Sequence, residues 1–142
     1  MAGIKVKQVA HVCIFASDLE ETRRFYGDVL GMDIAFNFNR NSELFGFYLN
    51  AGGRTHVEVF HKPQAEFAET NQINHLCLEV EDLDAAIAHI ESTGATLTRP
   101  KKKGVDETWQ AWLTDPNGVK IELFEYTDQS AQWVGGDRVA NW

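Results

Sequence analysis

The chain has 142 residues and a formal net charge of -8, long enough for one ordinary domain with its own apolar core. The acidic balance argues against nucleic acid, which wants a basic face, and no apolar run approaches the roughly 18 residues of a membrane span. Cys13 and Cys77 are too few for a disulfide framework, lack C-x-x-C spacing, and read as small buried residues.

The start "MAGIKVKQVA" has no apolar h-region, so the cytoplasm is the expected compartment. A β-rich stretch, Val9 to Phe15, comes first. "SDLEETRRFYGDVLG" then reads as a helix. Asp18 is its N-cap with Glu21 three residues on; Leu19, Thr22, Phe25, Tyr26, Val29 and Leu30 form its apolar stripe; Gly31 follows as the C′ residue. Three strands follow: "DIAFNFN", "LFGFYLN" and "THVEVFH". The segment 63–70, "PQAEFAET", is a junction. The order then repeats: a strand from Ile73 to Val80, and a helix in "EDLDAAIAHIESTG" with Leu83, Ala86, Ile87 and Ile90 on one face. Strands "ATLTRP", "TWQAWLT" and "GVKIELFEY" complete it, with "DPNG" as a strong turn before the last. "KKK", Lys101 to Lys103, reads as a solvated loop able to close on an anionic substrate. The tail 127–142 carries Trp133 and Trp142 without periodicity. It is either a loose end or a cover for a pocket or a partner subunit.

The chain is thus written twice. His11 and His75 lie 64 positions apart, as do Cys13 and Cys77, Asp18 and Asp82, Val57 and Ile121, Glu58 and Glu122, and Phe60 and Phe124. The copies span about 6–62 and 70–126. Each is βαβββ, with its helix on one face of its sheet, which makes an α+β protein. The whole of 1–126 reads as one domain, with 127–142 as a tail.

Strand alternation assigns the faces. His11, Cys13 and Phe15 oppose Val12 and Ile14. His75 and Cys77 oppose Leu76 and Leu78. His56, Glu58 and Phe60 oppose Val57 and Val59, and Lys120, Glu122 and Phe124 oppose Ile121 and Leu123. A carboxylate on such a strand is costly unless paired or bound to a metal. Two His and two Glu supply four N/O donors, a set that suits Ni, Co, Zn, Mn or Fe and leaves positions open for substrate. His11, Glu58, His75 and Glu122 are therefore the expected ligands of one divalent ion, on the inner faces of curved sheets. His56 shares the face of Glu58 as a possible supporting residue; His61 and His89 read as surface residues.

At these residues the chain resembles the vicinal oxygen chelate superfamily: glyoxalase I, methylmalonyl-CoA epimerase, extradiol dioxygenases and bleomycin-resistance proteins. The carriers are "HVCIFASDLEETRRFYGDVLGMDI", "VEVF", "NHLCLEVEDLDAAIAHIESTGA" and "DPNGVKIELFE". The resemblance implies two βαβββ modules curled into a half-open mixed β-sheet barrel around the metal, and a homodimer. It is closest to glyoxalase I (lactoylglutathione lyase), which has His, Glu, His and Glu where this chain has His11, Glu58, His75 and Glu122. Bleomycin-binding members lack those ligands, and the epimerase typically has Gln where Glu58 stands. The chain departs from glyoxalase I at Phe15, where that family commonly has Arg, and at Lys62, where it often has Asn. Phe15, Lys62, Phe60 and Phe124 are therefore the expected substrate-binding residues, and the two departures argue against a need for glutathione in a lactoylglutathione lyase-like reaction.

The activity so implied is a lyase or isomerase acting on a small α-hydroxy carbonyl through a metal-stabilised enediolate, with Glu122 as base and Glu58 close behind. The alternatives are epimerisation of a 2-keto or sugar-derived substrate, and metal-independent sequestration of a small aromatic compound or drug.

Overall fold

The structure, a computed structural model, describes residues 9, 11–63, 73, 75–137 and 139. Most of the 63–70 junction, Trp142 and the first eight residues lie outside that set. The chain divides into two compact units, Met1–Glu66 and Phe67–Trp142.

The first unit runs β1 (His11–Ala16), α1 (Leu19–Arg24), a π-helical turn (Phe25–Val29), β2 (Ile34–Arg40), β3 (Glu43–Asn50) and β4 (His56–His61). Its sheet has the order β1-β4-β3-β2. β1 is parallel to β4 and the other pairs are antiparallel. The second unit repeats this as β5 (Leu76–Glu79), α2 (Leu83–Ser92), β6 (Arg99–Lys103), β7 (Trp109–Thr114) and β8 (Lys120–Glu125), ordered β5-β8-β7-β6, with a final short helix α3 (Ala131–Val134). Among the described residues the result is an α+β fold with one mixed four-stranded sheet in each unit.

Alternation decides each core. Ile14, Phe47, Leu49, Val57 and Val59 are buried on one face of the first sheet, with Thr22, Tyr26 and Met32. Ala111, Leu113, Ile121 and Leu123 do the same in the second, with Leu83 and Ile90 of α2. Each fully buried Val, Leu or Ile contributes about 1.5–3 kcal/mol, so these faces fix the register and the opposite faces are left for chemistry.

The caps form as expected: the Asp18 carboxylate accepts from the Glu21 N–H and Asp82 from the Ala85 N–H, each at 2.9 Å. Gly31 and Gly94 end their helices at φ 69° and 86°, a conformation only glycine adopts freely. In the turn 115–118, Asp115 Oδ1 accepts from the N–H groups of Asn117 and Val119 at 2.8 and 2.7 Å.

Three expectations need correction. The first helix is not α-helical to Leu30: the Leu30 N–H reaches back five residues to the Phe25 carbonyl, and this wider turn lets both Tyr26 and Met32 reach the core. β6 begins at Arg99, so Lys101 to Lys103 lie in an edge strand and not in a loop. Lysines are a common guard of such edges. Cys13 and Cys77 are exposed, because alternation puts them on the faces opposite the cores.

The start of the tail is tied down. Ser130 and Thr108 are buried and joined by a 3.0 Å hydroxyl bond. The Ala131 N–H donates to the Asp106 carbonyl at 2.8 Å, and Gln132 Nε2 donates to Asp106 Oδ2 at 2.8 Å. Trp133 sits against Tyr126, ring centroids 4.6 Å apart, and stays 63% exposed.

Candidate metal centre

In the first unit, the parallel pairing of β1 with β4 sets Cys13 beside Glu58 and Phe15 beside Phe60. The antiparallel pairing of β3 with β4 sets Tyr48 on the other side of Glu58. His11 Nε2 lies 3.9 Å from Glu58 Oε2, and the Tyr48 hydroxyl is 3.3 Å from His11 Nδ1. Tyr48 is held protonated, its pKa pushed up to about 12 chiefly by its hydrogen bond to Glu58. The Tyr48 hydroxyl thus serves both Glu58 and His11 Nδ1. His11 Nε2, on the far side of the ring, faces a carboxylate oxygen of Glu58.

The second unit repeats the frame with different neighbours. β5 pairs with β8 so that Cys77 lies beside Glu122, and β7 sets Trp112 on its other side. His75 Nε2 is 3.1 Å from Glu122 Oε2. The Trp112 ring packs edge-on against His75 at 4.7 Å, while its Nε1–H donates to Gln110 Oε1 at 2.9 Å and not to Glu122. The Glu122 side chain is 9% exposed against 16% for Glu58. Burial raises the Glu122 pKa, Asp106 adds to the rise, and His75 and the Cys77 thiol oppose it.

Both thiols stay protonated. Although both residues keep exposed surface, loss of water around the thiol, then the Glu58 contact, lifts Cys13 to about 11; the same loss, then Glu122, lifts Cys77 to about 12. Beside the glutamates they are thiols and not thiolates, consistent with an N/O donor set.

Donor geometry provides a test of fit. Bonds of about 2.0–2.2 Å to a first-row ion place neighbouring ligand atoms roughly 3–3.5 Å apart. The His75–Glu122 pair meets this at 3.1 Å, and the His11–Glu58 pair, at 3.9 Å, lies outside it. Among the described residues no group of three or more His, Cys, Asp or Glu forms a metal-holding cluster; the donors come as two pairs, one per unit.

Of the expected substrate residues, Phe15 is 49% exposed with the Lys62 ammonium 4.8 Å above its ring. A cation thus does stand at Phe15, supplied from the end of β4. Phe60 joins an aromatic group with Phe38 and Phe45 at 5.1 and 5.3 Å, and Phe36 stacks on Tyr48 at 4.7 Å. Phe124 is buried and meets Tyr126 at 5.3 Å. His56 is half-buried, its ring 5.5 Å from that of Tyr48. His61 is bonded rather than free: Nε2 is 3.1 Å from the Ser17 carbonyl oxygen.

Sequence reasoning missed Tyr48, although its place 64 positions before Trp112 in the duplication was available as a signal. A cleft of about 310 Å³ beside α1, lined by Glu20, Arg23, Arg24 and Asp28 among others, contains none of the paired ligand candidates.

Two βαβββ units, each with a Glu on its last strand and a His at the start of the parallel strand beside it or just before that strand, define a duplicated α+β protein with metal-ligand candidates. The profile of the Glyoxalase/Bleomycin resistance protein/Dioxygenase superfamily matches residues 8–123, and the chain belongs to that superfamily. The chain is similar to the uncharacterized protein YaeR of Escherichia coli K12 (29% identical over 125 residues, 84% of this chain and 97% of the relative). It is similar to the lactoylglutathione lyase of Haemophilus influenzae (28% over 127 residues, 83% and 92%). Among solved structures it resembles the glyoxalase family protein from Enterococcus faecalis, with a TM-score of 0.71 at 26% identity, covering 84% and 98%. No helix among the described residues is long and apolar enough to cross a membrane.

Proposed function

We propose that the protein is a metal-dependent lyase or isomerase of the glyoxalase kind, its two modules acting as one domain. It moves a proton between adjacent carbons of a small α-hydroxy carbonyl. His11, Glu58, His75 and Glu122 hold one divalent ion, of the Ni, Co, Zn, Mn or Fe group, since neither unit's two donors fill a coordination sphere alone. When bound, that ion supplies polarisation of the carbonyl and acidifies the neighbouring C–H.

The observation that carries the assignment of roles is the difference between the glutamates. Glu58 accepts from Tyr48 and Cys13, which holds it as a ligand. Glu122 has no tyrosine, is the more buried, and has its basicity raised by that burial. A carboxylate with a raised pKa is the better proton acceptor near neutrality, so Glu122 takes the proton. Return to the adjacent carbon completes a 1,2-shift; return to the same carbon is an epimerisation. Phe15 and Phe60, with Phe124 and Lys62, line the substrate's approach. Relatives named lactoylglutathione lyase support the reaction class, and Phe15 in the place of an arginine disfavours glutathione as the carrier. A homodimer working on small molecules in the cytoplasm fits this reading.

The test is Glu122→Gln, with ion content and turnover of the methylglyoxal–glutathione adduct and then of other α-hydroxy carbonyls. An ion retained with turnover lost supports Glu122 as base; full turnover removes it from that role.

The aromatic face of Phe36, Phe38, Tyr48 and Phe60 favours a second reading, capture of a small aromatic compound. Such a binder keeps its affinity when the ion is stripped, and the enzyme does not.

A further inference from the structure

The strand "RPKKK" distributes its cations unevenly. Lys101 pairs with Asp84 of α2 at 2.8 Å and Lys103 with Glu107 at 3.0 Å. Both also lie near the Trp109 ring, at 4.9 and 5.3 Å. Trp109 shares the parity of the core residues Ala111 and Leu113, so these two lysines belong to the helix side of the sheet.

Arg99 would join them in an unbroken strand, because it has the same parity. It does not, because the ladder slips. Arg99 pairs with Trp112, yet Lys102 pairs with Gln110 and Lys103 with Trp109. One extra residue is accommodated between Arg99 and Lys102. Such a bulge re-aims the side chains on either side of it. Pro100, which lacks a backbone N–H to donate, is tolerated there on an edge strand. The slip brings Arg99 opposite Trp112, its guanidinium carbon 5.6 Å from that ring. Trp112 in turn packs on His75 and is the cross-strand neighbour of Glu122. Lys102 falls on this face too, opposite Gln110, which neighbours Phe124. Among the described residues neither Arg99 nor Lys102 is within ion-pair distance of a carboxylate.

The first unit does the opposite at the matching place. Its ladder also shifts, between Ile34 and Phe36, but the residue brought opposite Tyr48 is Phe36, stacked at 4.7 Å and 18°. One duplicated slot is apolar and the other is cationic.

We infer that Arg99, seated on Trp112 and seconded by Lys102, receives a carboxylate or phosphate of the substrate, a few bonds from the carbons that react at Glu122. The substrate class is then an anionic α-hydroxy or 2-oxo carbonyl compound. A guanidinium suits this: it stays charged at all working pH values, stacks on an aromatic face and takes a planar oxyanion through two parallel N–H bonds. The inference rests on the metal-dependent reading above and assigns its substrate end.

The test compares three chelating probes by titration calorimetry on protein carrying its copurified ion. Acetohydroxamate has two vicinal oxygens and no further charge; succinohydroxamate adds a carboxylate and phosphonoacetohydroxamate a phosphonate. Wild type should prefer at least one charged probe over acetohydroxamate by about tenfold or more, and the better of the two identifies the oxyanion. Arg99→Gln should erase the preference while leaving acetohydroxamate binding and ion content unchanged. Arg99→Lys should keep part of it. Equal binding of all three by wild type, or a preference that survives Arg99→Gln, overturns the assignment of Arg99 alone. Failure of every probe on every form overturns the metal-dependent reading, and this inference with it.

Discussion

The two units carry the same sheet and the same His–Glu pair, yet each pair has different company. Around Glu58 stand a hydroxyl, a thiol and a histidine whose far nitrogen is accounted for by Tyr48. Around Glu122 the tyrosine is replaced by Trp112, whose only polar group is turned to Gln110. The backbone register is preserved to the residue, so the difference is purely one of side chains. A duplication supplies a symmetric set of ligand candidates, and a few substitutions beside them give the two carboxylates different surroundings.

The largest expected effect separates the glutamates. Glu122→Gln should lower turnover by about 10² to 10⁴, the usual contribution of a general base, with the ion retained. Glu58→Gln should lose activity chiefly by losing the ion. Metal content measured beside turnover distinguishes them, and equal behaviour of the two variants would abolish the asymmetry.

Next comes Gly46, whose counterpart in the duplication is Gln110. A Cβ at Gly46 would collide with the Val59 carbonyl oxygen and lie 2.7 Å from Phe60 Cδ1. Gly46→Ala should therefore destabilise the protein by about 1–3 kcal/mol, as other overpacked sites do, read as a fall in the denaturation midpoint. Gln110→Ala should cost less, since that slot already accommodates a side chain.

Tyr48→Phe removes the hydroxyl that orients His11 and Glu58 but leaves the ring. Metal affinity should fall by roughly tenfold, the lower end for a supporting hydrogen bond. Trp112→Phe, at the equivalent place, should leave affinity nearly unchanged, because the Trp112 N–H is turned to Gln110 and an aromatic ring stays beside His75.

The smallest effect is on pH dependence. In metal-free protein the Glu122 pKa is raised above its ordinary 4.5 by burial first. The native state thus holds this proton more tightly than the unfolded chain, and stability falls as pH rises through the native value. Chelated Glu122→Gln should lack that fall, so its denaturation midpoint should gain on wild type as pH is raised above 4.5.

Much of this was legible in the sequence because alternation and duplication are both local patterns. Val57 and Val59 against Glu58, and Ile121 and Leu123 against Glu122, fix the faces without knowledge of the fold. Asp18, Asp82 and "DPNG" mark their caps and turn by chemistry that acts over four residues. The π-helical turn and the slip in β6 were not legible, since each depends on what the neighbouring element demands. The slip matters most, because it turns Arg99 from the helix side to the ligand face. The cysteines were misjudged from residue-type preference, although the alternation that placed His11 and His75 placed them as well.

Metal content of the protein purified without chelator, beside His11→Ala and His75→Ala, tests the central claim most directly. The account requires about one divalent ion per chain, lost in either variant, since both pairs serve one ion. An ion that survives loss of either histidine, or folded wild type that carries none, would contradict it.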